Sequence, residues 1–366
     1  MNVVFRVDAA LHIGSGHVMR CLTLADELAH QGVNCIFICR EFEGNLLALI
    51  KEKGYRLFSL CAIKTILSPK DNQIVPHEHW LGTNYESDAK QTIDIIKYLP
   101  IKIDWLIVDH YAIDIRWEQI LRPYVNKIML IDDLADRYHD CDVLLDQNYF
   151  YNFLNRYDKF VLPTTKMFLG PEYVLLKPEF SELRLTRSQS NLNTHKKNIL
   201  VFFGGVDSTS ETAKFLNACE FSLCEDIHLH VVIGQSNKDK DKLIKKYNRL
   251  TNITLYHFVH NMAQLMARMD YSFGACGSTN WERMCIGLNS SIVAVAQNQI
   301  ELSNFLYQQN LVEYIGYCDE VTIEDYRNLI VSTDFNSNTM QKRREKIMSI
   351  VDGMGLYRIC QFLVGN

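Results

Sequence analysis

Apolar residues gather in short runs along this chain, and the runs stop at acids, asparagines or glycines. Residues 1–7 read as a buried strand, 8–16 as a loop, and 17–31 as an amphipathic helix that Gly32 ends. Residues 34–39 form a second strand-like run, and shorter ones at 106–109, 128–131 and 143–145 each meet an acid. Strands alternating with helices predict a parallel sheet covered on both faces. The rhythm lapses in the polar stretch 184–197 and then restarts. Runs at 198–203, 228–233, 253–258, 271–273 and 291–295 end at or near Gly204-Gly205, Gly234, His260, Gly274 and Asn298. A last helix is expected over 339–363, able to pack back on the first half. The expected organisation is an N-terminal Rossmann-like domain at 1–184, a linker at 185–197 and a second Rossmann-like domain at 198–366.

Composition narrows the class. The chain has 366 residues, 48% hydrophobic and 22% charged, as in ordinary globular proteins. Its net charge of −5 provides no general basic field for nucleic acid. The 11 cysteines are scattered without a C-x-x-C pair, a usage that fits a reducing compartment. Arg6 and Asp8 stand where a leader needs apolar residues, and no apolar run reaches the ~18 residues of a span. A cytoplasmic, soluble monomer is the expectation, with neither membrane nor nucleic acid as partner. His77-Glu78-His79 has no further ligands at useful spacing, so no metal and no cofactor are expected.

The residues with chemical potential cluster at the carboxyl ends of the strand-like runs, where open parallel sheets bind ligands. Gly14 and Gly16 leave room beside the backbone, but Met19 takes the place of the third glycine of a dinucleotide fingerprint. His17 opens the first helix. That position favours neutral imidazole, the form able to take a proton from water, although a loop-packing role fits the same spacing. Asp109 and Asp132 follow strands, and each either orients a histidine, binds hydroxyls or caps a turn. Tyr111 fits either packing or contact with a ligand. In the second half, Gly204-Gly205, Gly234 and Gly277-Ser278-Thr279 offer backbone N–H groups and hydroxyls at strand-to-helix turns suited to phosphate. Glu282, three residues after Thr279, either completes a capping box or faces the hydroxyls of a ribose.

These loops resemble one family, the hydrolases of pseudaminic acid biosynthesis that act on UDP-2,4-diacetamido-2,4,6-trideoxy-β-L-altropyranose. The resemblance is carried by I-G-S-G-H-V-M-R-C-L-T-L-A-D-E-L at 13–28, W-L-G at 80–82, V-D-H-Y at 108–111, I-D-D-L-A-D-R at 131–137, D-Q-N at 146–148 and L-G-P-E-Y-V-L-L-K-P-E-F at 169–180. G-G-V-D at 204–207, G-S-T-N-W-E-R at 277–283 and Q-N-Q at 297–299 add to it. Val206 and Ser208 beside Asp207, and Cys276 where a glycine is common, depart from the pattern. The resemblance implies the α/β GT-B fold, two Rossmann-like domains with parallel sheets facing a central cleft. It implies a metal-independent, inverting hydrolase in which water displaces UDP from the anomeric carbon. His17 would be the base. Asp8, Gly14, Ser15, Gly16, Arg20, Asp109, Tyr111, Asp132, Asn298 and Gln299 would lie toward the sugar. Gly204, Gly205, Asp207, Gly234, Val259, Met262, Gly277, Ser278, Thr279 and Glu282 would hold UDP. A GT-B glycosyltransferase with a UDP-amino sugar donor, or a non-catalytic nucleotide-sugar binder, would share the same loops.

Overall fold

The computed structural model describes residues 1–61, 77–187, 196–219, 226–234, 236–257, 259, 261–335 and 337–365. Two compact units emerge: Met1–Asn148 with Asn152–Leu175 and Gly355–Asn366, and Tyr149–Tyr151 with Leu176–Met354. In the first, strands β1 (Asn2–Val7), β2 (Asn34–Arg40), β3 (Arg56–Leu60), β4 (Trp105–Asp109), β5 (Lys127–Ile131), β6 (Val143–Asp146) and β7 (Lys166–Leu169) form one sheet. Its order is β3-β2-β1-β4-β5-β6-β7, with every neighbouring pair parallel. All five residues of β4 are buried, because a parallel strand covered on both faces needs apolar side chains at every step. Helix α1 (Gly16–His30) buries Val18, Cys21, Leu22, Ala25 and Leu28 along one stripe against this sheet. Helices α2 (Leu47–Glu52), α3 (Tyr85–Tyr98) and α4 (Ile115–Leu121) complete the crossovers.

The second unit opens with α5 (Pro178–Arg187) and holds β8 (Lys197–Phe202), α6 (Glu211–Ala218), β9 (Ile227–Val232), α7 (Lys240–Tyr247), β10 (Ile253–Tyr256), α8 (Met262–Ala267), β11 (Tyr271–Ala275), α9 (Thr279–Ile286), β12 (Ser290–Ala294), α10 (Ile300–Gln308), β13 (Glu313–Tyr317), α11 (Ile323–Ser332) and α12 (Asn338–Ile350). Its six strands run parallel in the order β10-β9-β8-β11-β12-β13. Strand order reverses beside β1 in one sheet and beside β8 in the other. At such reversals neighbouring crossovers leave to opposite faces and open a crevice at the strands' carboxyl ends. The candidate residues sit at these two ends.

Three features differ from the sequence reading. The first unit ends at Leu175, not at 184, because α5 packs within the second unit, where Arg184 donates to the carbonyls of Met348 and Val351 at 2.6 Å each. Of the expected linker, residues 185–187 continue α5, 188–195 lie outside the described residues, and Lys197 already opens β8. The last helix is two helices, α12 and α13 (Gly355–Val364), and only α13 belongs to the first unit. Gly353, at φ +80°, makes the break, a left-handed turn that residues with a Cβ rarely adopt. Taken together, Asn338–Val364 is long and apolar enough by composition to count as a candidate membrane span, contrary to the reading that no such run exists. The break at 351–354 divides it, and α13 buries Leu356, Ile359, Cys360 and Leu363 in the core of the first unit.

Candidate active site

In the first unit the loop after β1 closes on itself. The Gly14 N–H donates to Ala10 O at 2.8 Å, with Gly14 at φ +85°. A Cβ added at Gly14 or Gly16 would meet nothing within 4 Å, so the backbone there is open. No side chain caps α1, whose N-cap is Ser15. Its first N–H groups therefore present the positive end of the helix dipole around His17.

His17 is 8% exposed, and its Nδ1 lies 2.6 Å from Asp109 Oδ1. Arg20 Nη2 lies 3.3 Å from the same nitrogen. A carboxylate at 2.6 Å requires a proton on Nδ1, since two acceptors so close would repel. That proton leaves Nε2 as the accepting nitrogen, and among the described residues nothing hydrogen-bonds it. Asp109 is fully buried at the end of β4 and also takes a two-pronged bond from Arg20, Nε at 2.6 Å and Nη2 at 2.7 Å. Burial alone would push its carboxyl up. The charge of Arg20, with the hydrogen bonds from Arg20 and His17, overcomes this and holds it well below the usual carboxylate range. Arg20 continues to Asp133, which also accepts from the Tyr111 hydroxyl at 2.6 Å and from Asn148 Nδ2 at 2.6 Å. Tyr111 thereby stands edge-on to the His17 ring, centroids 4.5 Å apart, and stacks on Trp80 at 5.6 Å. His77 packs on Trp80 at 4.6 Å, and no group of three or more His, Cys, Asp or Glu among the described residues is arranged to hold a metal ion.

Asp109, then, is the acid that orients His17. Other residues expected toward the sugar have partners within the fold. Asp8 is 1% exposed, and its carboxylate accepts from the Arg40 N–H at 2.6 Å and pairs with Arg6 at 2.7 Å. Asp132 is fully buried and takes Arg137, Tyr157 and the N–H groups of Leu134 and Ala135. Asp132 is fully engaged inside the fold, while the second Asp8 oxygen has only His110 Nε2 near it, at 3.2 Å. Arg20 is spent on Asp109 and Asp133, so it positions the others. Sequence reasoning passed over Asp133, Asn148 and Trp80, although each lay within a quoted motif. Asp146 joins them: burial, then the charge of Asp133, pushes its carboxyl up to about 7, against the pull of Arg156.

In the second unit Gly204, at φ +109°, and Gly277 have open space where a Cβ would stand. Gly234 has the opposite reason: a Cβ there would fall 1.9 Å from Gly205 O, so the ends of β8 and β9 touch backbone to backbone. Asp207, expected at the nucleotide, has partners of its own in the fold. It caps α6, accepting from the N–H groups of Glu211 at 2.9 Å and Thr212 at 3.0 Å, and from Asn237 Nδ2 at 3.2 Å. Val259 and Met262 are half-buried beyond β10. Ser278 and Thr279 open α9, and no side chain caps that helix. The capping box of Thr279 and Glu282 does not form. The Glu282 carboxyl is half-buried with no hydrogen-bond partner among the described residues, and burial pushes it up to about 7. Beyond β12, Asn298 is exposed, while Gln299 Oε1 accepts from the Val295 N–H at 3.0 Å.

The solved structures with this arrangement include UGT89C1 of Arabidopsis thaliana complexed with UDP. The match reaches a TM-score of 0.66 at 13% identity and covers all of this chain and 98% of that one. The fold is GT-B. No family model matches the chain. Among curated proteins it is 26% identical over 315 residues to an uncharacterized Methanocaldococcus jannaschii protein, MJ1062, covering 82% of this chain and 57% of that protein. It is 25% identical over 317 residues to the UDP-2,4-diacetamido-2,4,6-trideoxy-β-L-altropyranose hydrolase of Campylobacter jejuni, covering 86% of this chain and 99% of that enzyme. That is the family whose loops the sequence resembled. The GT-B fold is the level at which sequence and structure agree.

Proposed function

We propose that this protein hydrolyses a UDP-activated 2,4-diacetamido sugar, releasing UDP and the free sugar. The observation that carries the reading is His17, held by Asp109 through Nδ1, with Nε2 hydrogen-bonded to none of the described residues, directly after the open Gly14–Gly16 loop. Water attacks C1 of the sugar as the bond from C1 to the diphosphate oxygen breaks. His17 Nε2 takes the water's proton, and the electron pair of the broken bond leaves with UDP. Attack opposite the leaving group inverts C1. UDP is a stable anion, so its departure needs charge stabilisation more than an acid. The open backbone at Gly204 and Gly277, and the start of α9 that no side chain caps, support that role. Glu282 supports binding of the ribose, since its half-buried carboxyl has no hydrogen-bond partner among the described residues.

A second reading is a transferase that replaces water by an acceptor hydroxyl. The stacked Trp80 and Tyr111 beside His17 favour it, since aromatic faces suit a bound acceptor. UDP release from the purified chain, without acceptor and with chelator present, separates the two. The substrates are the 2,4-diacetamido UDP-sugar and UDP-N-acetylglucosamine, and His17→Ala runs alongside. Turnover of the first substrate only, lost in the variant, is expected. Binding without release would sink the hydrolase reading, and release retained by the variant would remove His17 as base.

A further inference from the structure

Arg283 lies in the last turn of α9 and is fully buried. Buried guanidinium groups are ordinarily paired with a carboxylate, because an isolated charge inside a protein is costly. Arg283 makes no ion pair among the described residues. Its Nη2 donates to Ala275 O at 2.7 Å, while Nε and Nη1 have no hydrogen-bond partner among the described residues. Burial pushes it down to about 10, so it stays cationic at neutral pH. Its acidic neighbour is Glu282, itself pushed up to about 7 and therefore a weak counter-charge.

The place of this charge is fixed by a glycine. A Cβ on Gly274 would fall 2.3 Å from Arg283 Nη1 and 2.4 Å from Phe202 O. The guanidinium therefore lies against the ends of β11 and β8, which pair Gly274 with Phe202. Those two strands lead into the loops with Gly277-Ser278-Thr279 and Gly204-Gly205. An unspent cation, an uncapped helix start and two open glycine turns converge at one end of one sheet.

We propose that Arg283 is a built-in counter-charge for a nucleoside diphosphate bound over these loops, acting through the backbone as a positioning residue without touching the ligand. The inference rests on the nucleotide-sugar reading of the site. The cost of burying the cation is recovered when the diphosphate arrives, and the open backbone lets the phosphates approach it. The field of one partly screened charge several ångströms away supports an affinity effect of about 10–100-fold.

Calorimetric titration of the full chain with UDP and with uridine tests this in the wild type, Arg283→Gln and Arg283→Lys. The Gln variant should lose about 10–100-fold in UDP affinity and keep its uridine affinity. The Lys variant, which keeps the charge, should stay within about fivefold of wild type for both. Equal losses for UDP and uridine in the Gln variant, or none, would overturn the inference alone. If the Gln variant does not fold, the Lys variant decides: a shift in the UDP-to-uridine ratio of tenfold or more overturns the counter-charge, and a preserved ratio supports it. A wild type that binds neither ligand overturns the nucleotide-sugar reading, and the inference with it.

Discussion

Replacing Asp109 by Asn tests the site at its centre. The carboxylate has three short partners, His17 Nδ1 and two nitrogens of Arg20, and no exposure to water. Removing one partner of a buried ion pair costs roughly 3–5 kcal/mol. Arg20 keeps Asp133, and the amide keeps one acceptor oxygen, so the cost falls just below that range, about 2–3 kcal/mol. For a unit of this size that is a fall in Tm of about 5–10 °C. The effect on turnover is larger and has a different origin. If the amide Nδ2 takes the position of Oδ1, it donates where the carboxylate accepted. His17 must then present a bare Nδ1, its proton moves to Nε2, and the nitrogen facing water can no longer take a proton. The comparable swap behind the histidine of serine proteases lowers kcat by about 10⁴. The expectation here is a loss of about 10³–10⁴ in kcat with KM within a few-fold. Steady-state UDP release at the optimal pH, with circular dichroism as the folding control, checks it. A folded variant whose kcat stays within about threefold of wild type would refute the tautomer argument.

Three further changes probe the surroundings. Tyr111→Phe removes a hydrogen bond to the Asp133 carboxylate, so urea unfolding should show a loss of about 1.5–3 kcal/mol, while kcat falls less than in Tyr111→Ala, which also loses the ring against His17. Asp146 has a folded value raised from 3.8 to about 7, so the folded state binds its proton more tightly than the unfolded one. Its contribution to stability is greatest below about pH 4 and declines as pH rises to about 7. Thermal melts across that window should show Asp146→Asn with a flatter decline, and an unchanged slope would reject the assignment. Asp109 has the opposite sign: its stabilisation is complete above the ordinary carboxylate range and is lost as pH falls below it. Gly234→Ala forces a methyl onto Gly205 O, and Tm should drop by about 6–12 °C, corresponding to roughly 3 kcal/mol of overpacking.

The legible strands were those buried on both faces. β1, β4 and β11 are almost wholly buried, so their apolar runs stand out in sequence. The edge strands β3 and β13 pair with one neighbour each and mix polar or half-exposed residues into the run. Arg-Leu-Phe-Ser-Leu and Glu-Tyr-Ile-Gly-Tyr do not announce strands by period alone. The break between α12 and α13 left a readable mark, the two glycines at 353 and 355, which the overall apolar period of the segment masked.

The acids at strand ends show where sequence stops. Asp8, Asp109, Asp132 and Asp146 all lie at or just past the ends of central strands and look alike along the chain. Their roles divide according to partners far away in sequence. Asp8 meets Arg40 and Asp132 meets Tyr157, groups that only close the fold. Asp109 meets a histidine 92 positions earlier. Asp133, beside the acid the sequence singled out, meets Arg20, Tyr111 and Asn148 together. Around His17, Arg20 is shared between Asp109 and Asp133, which leaves little free to move, and one imidazole nitrogen has no hydrogen bond among the described residues. A base needs that combination: a ring held by satisfied neighbours, and a single accepting atom left for the substrate water.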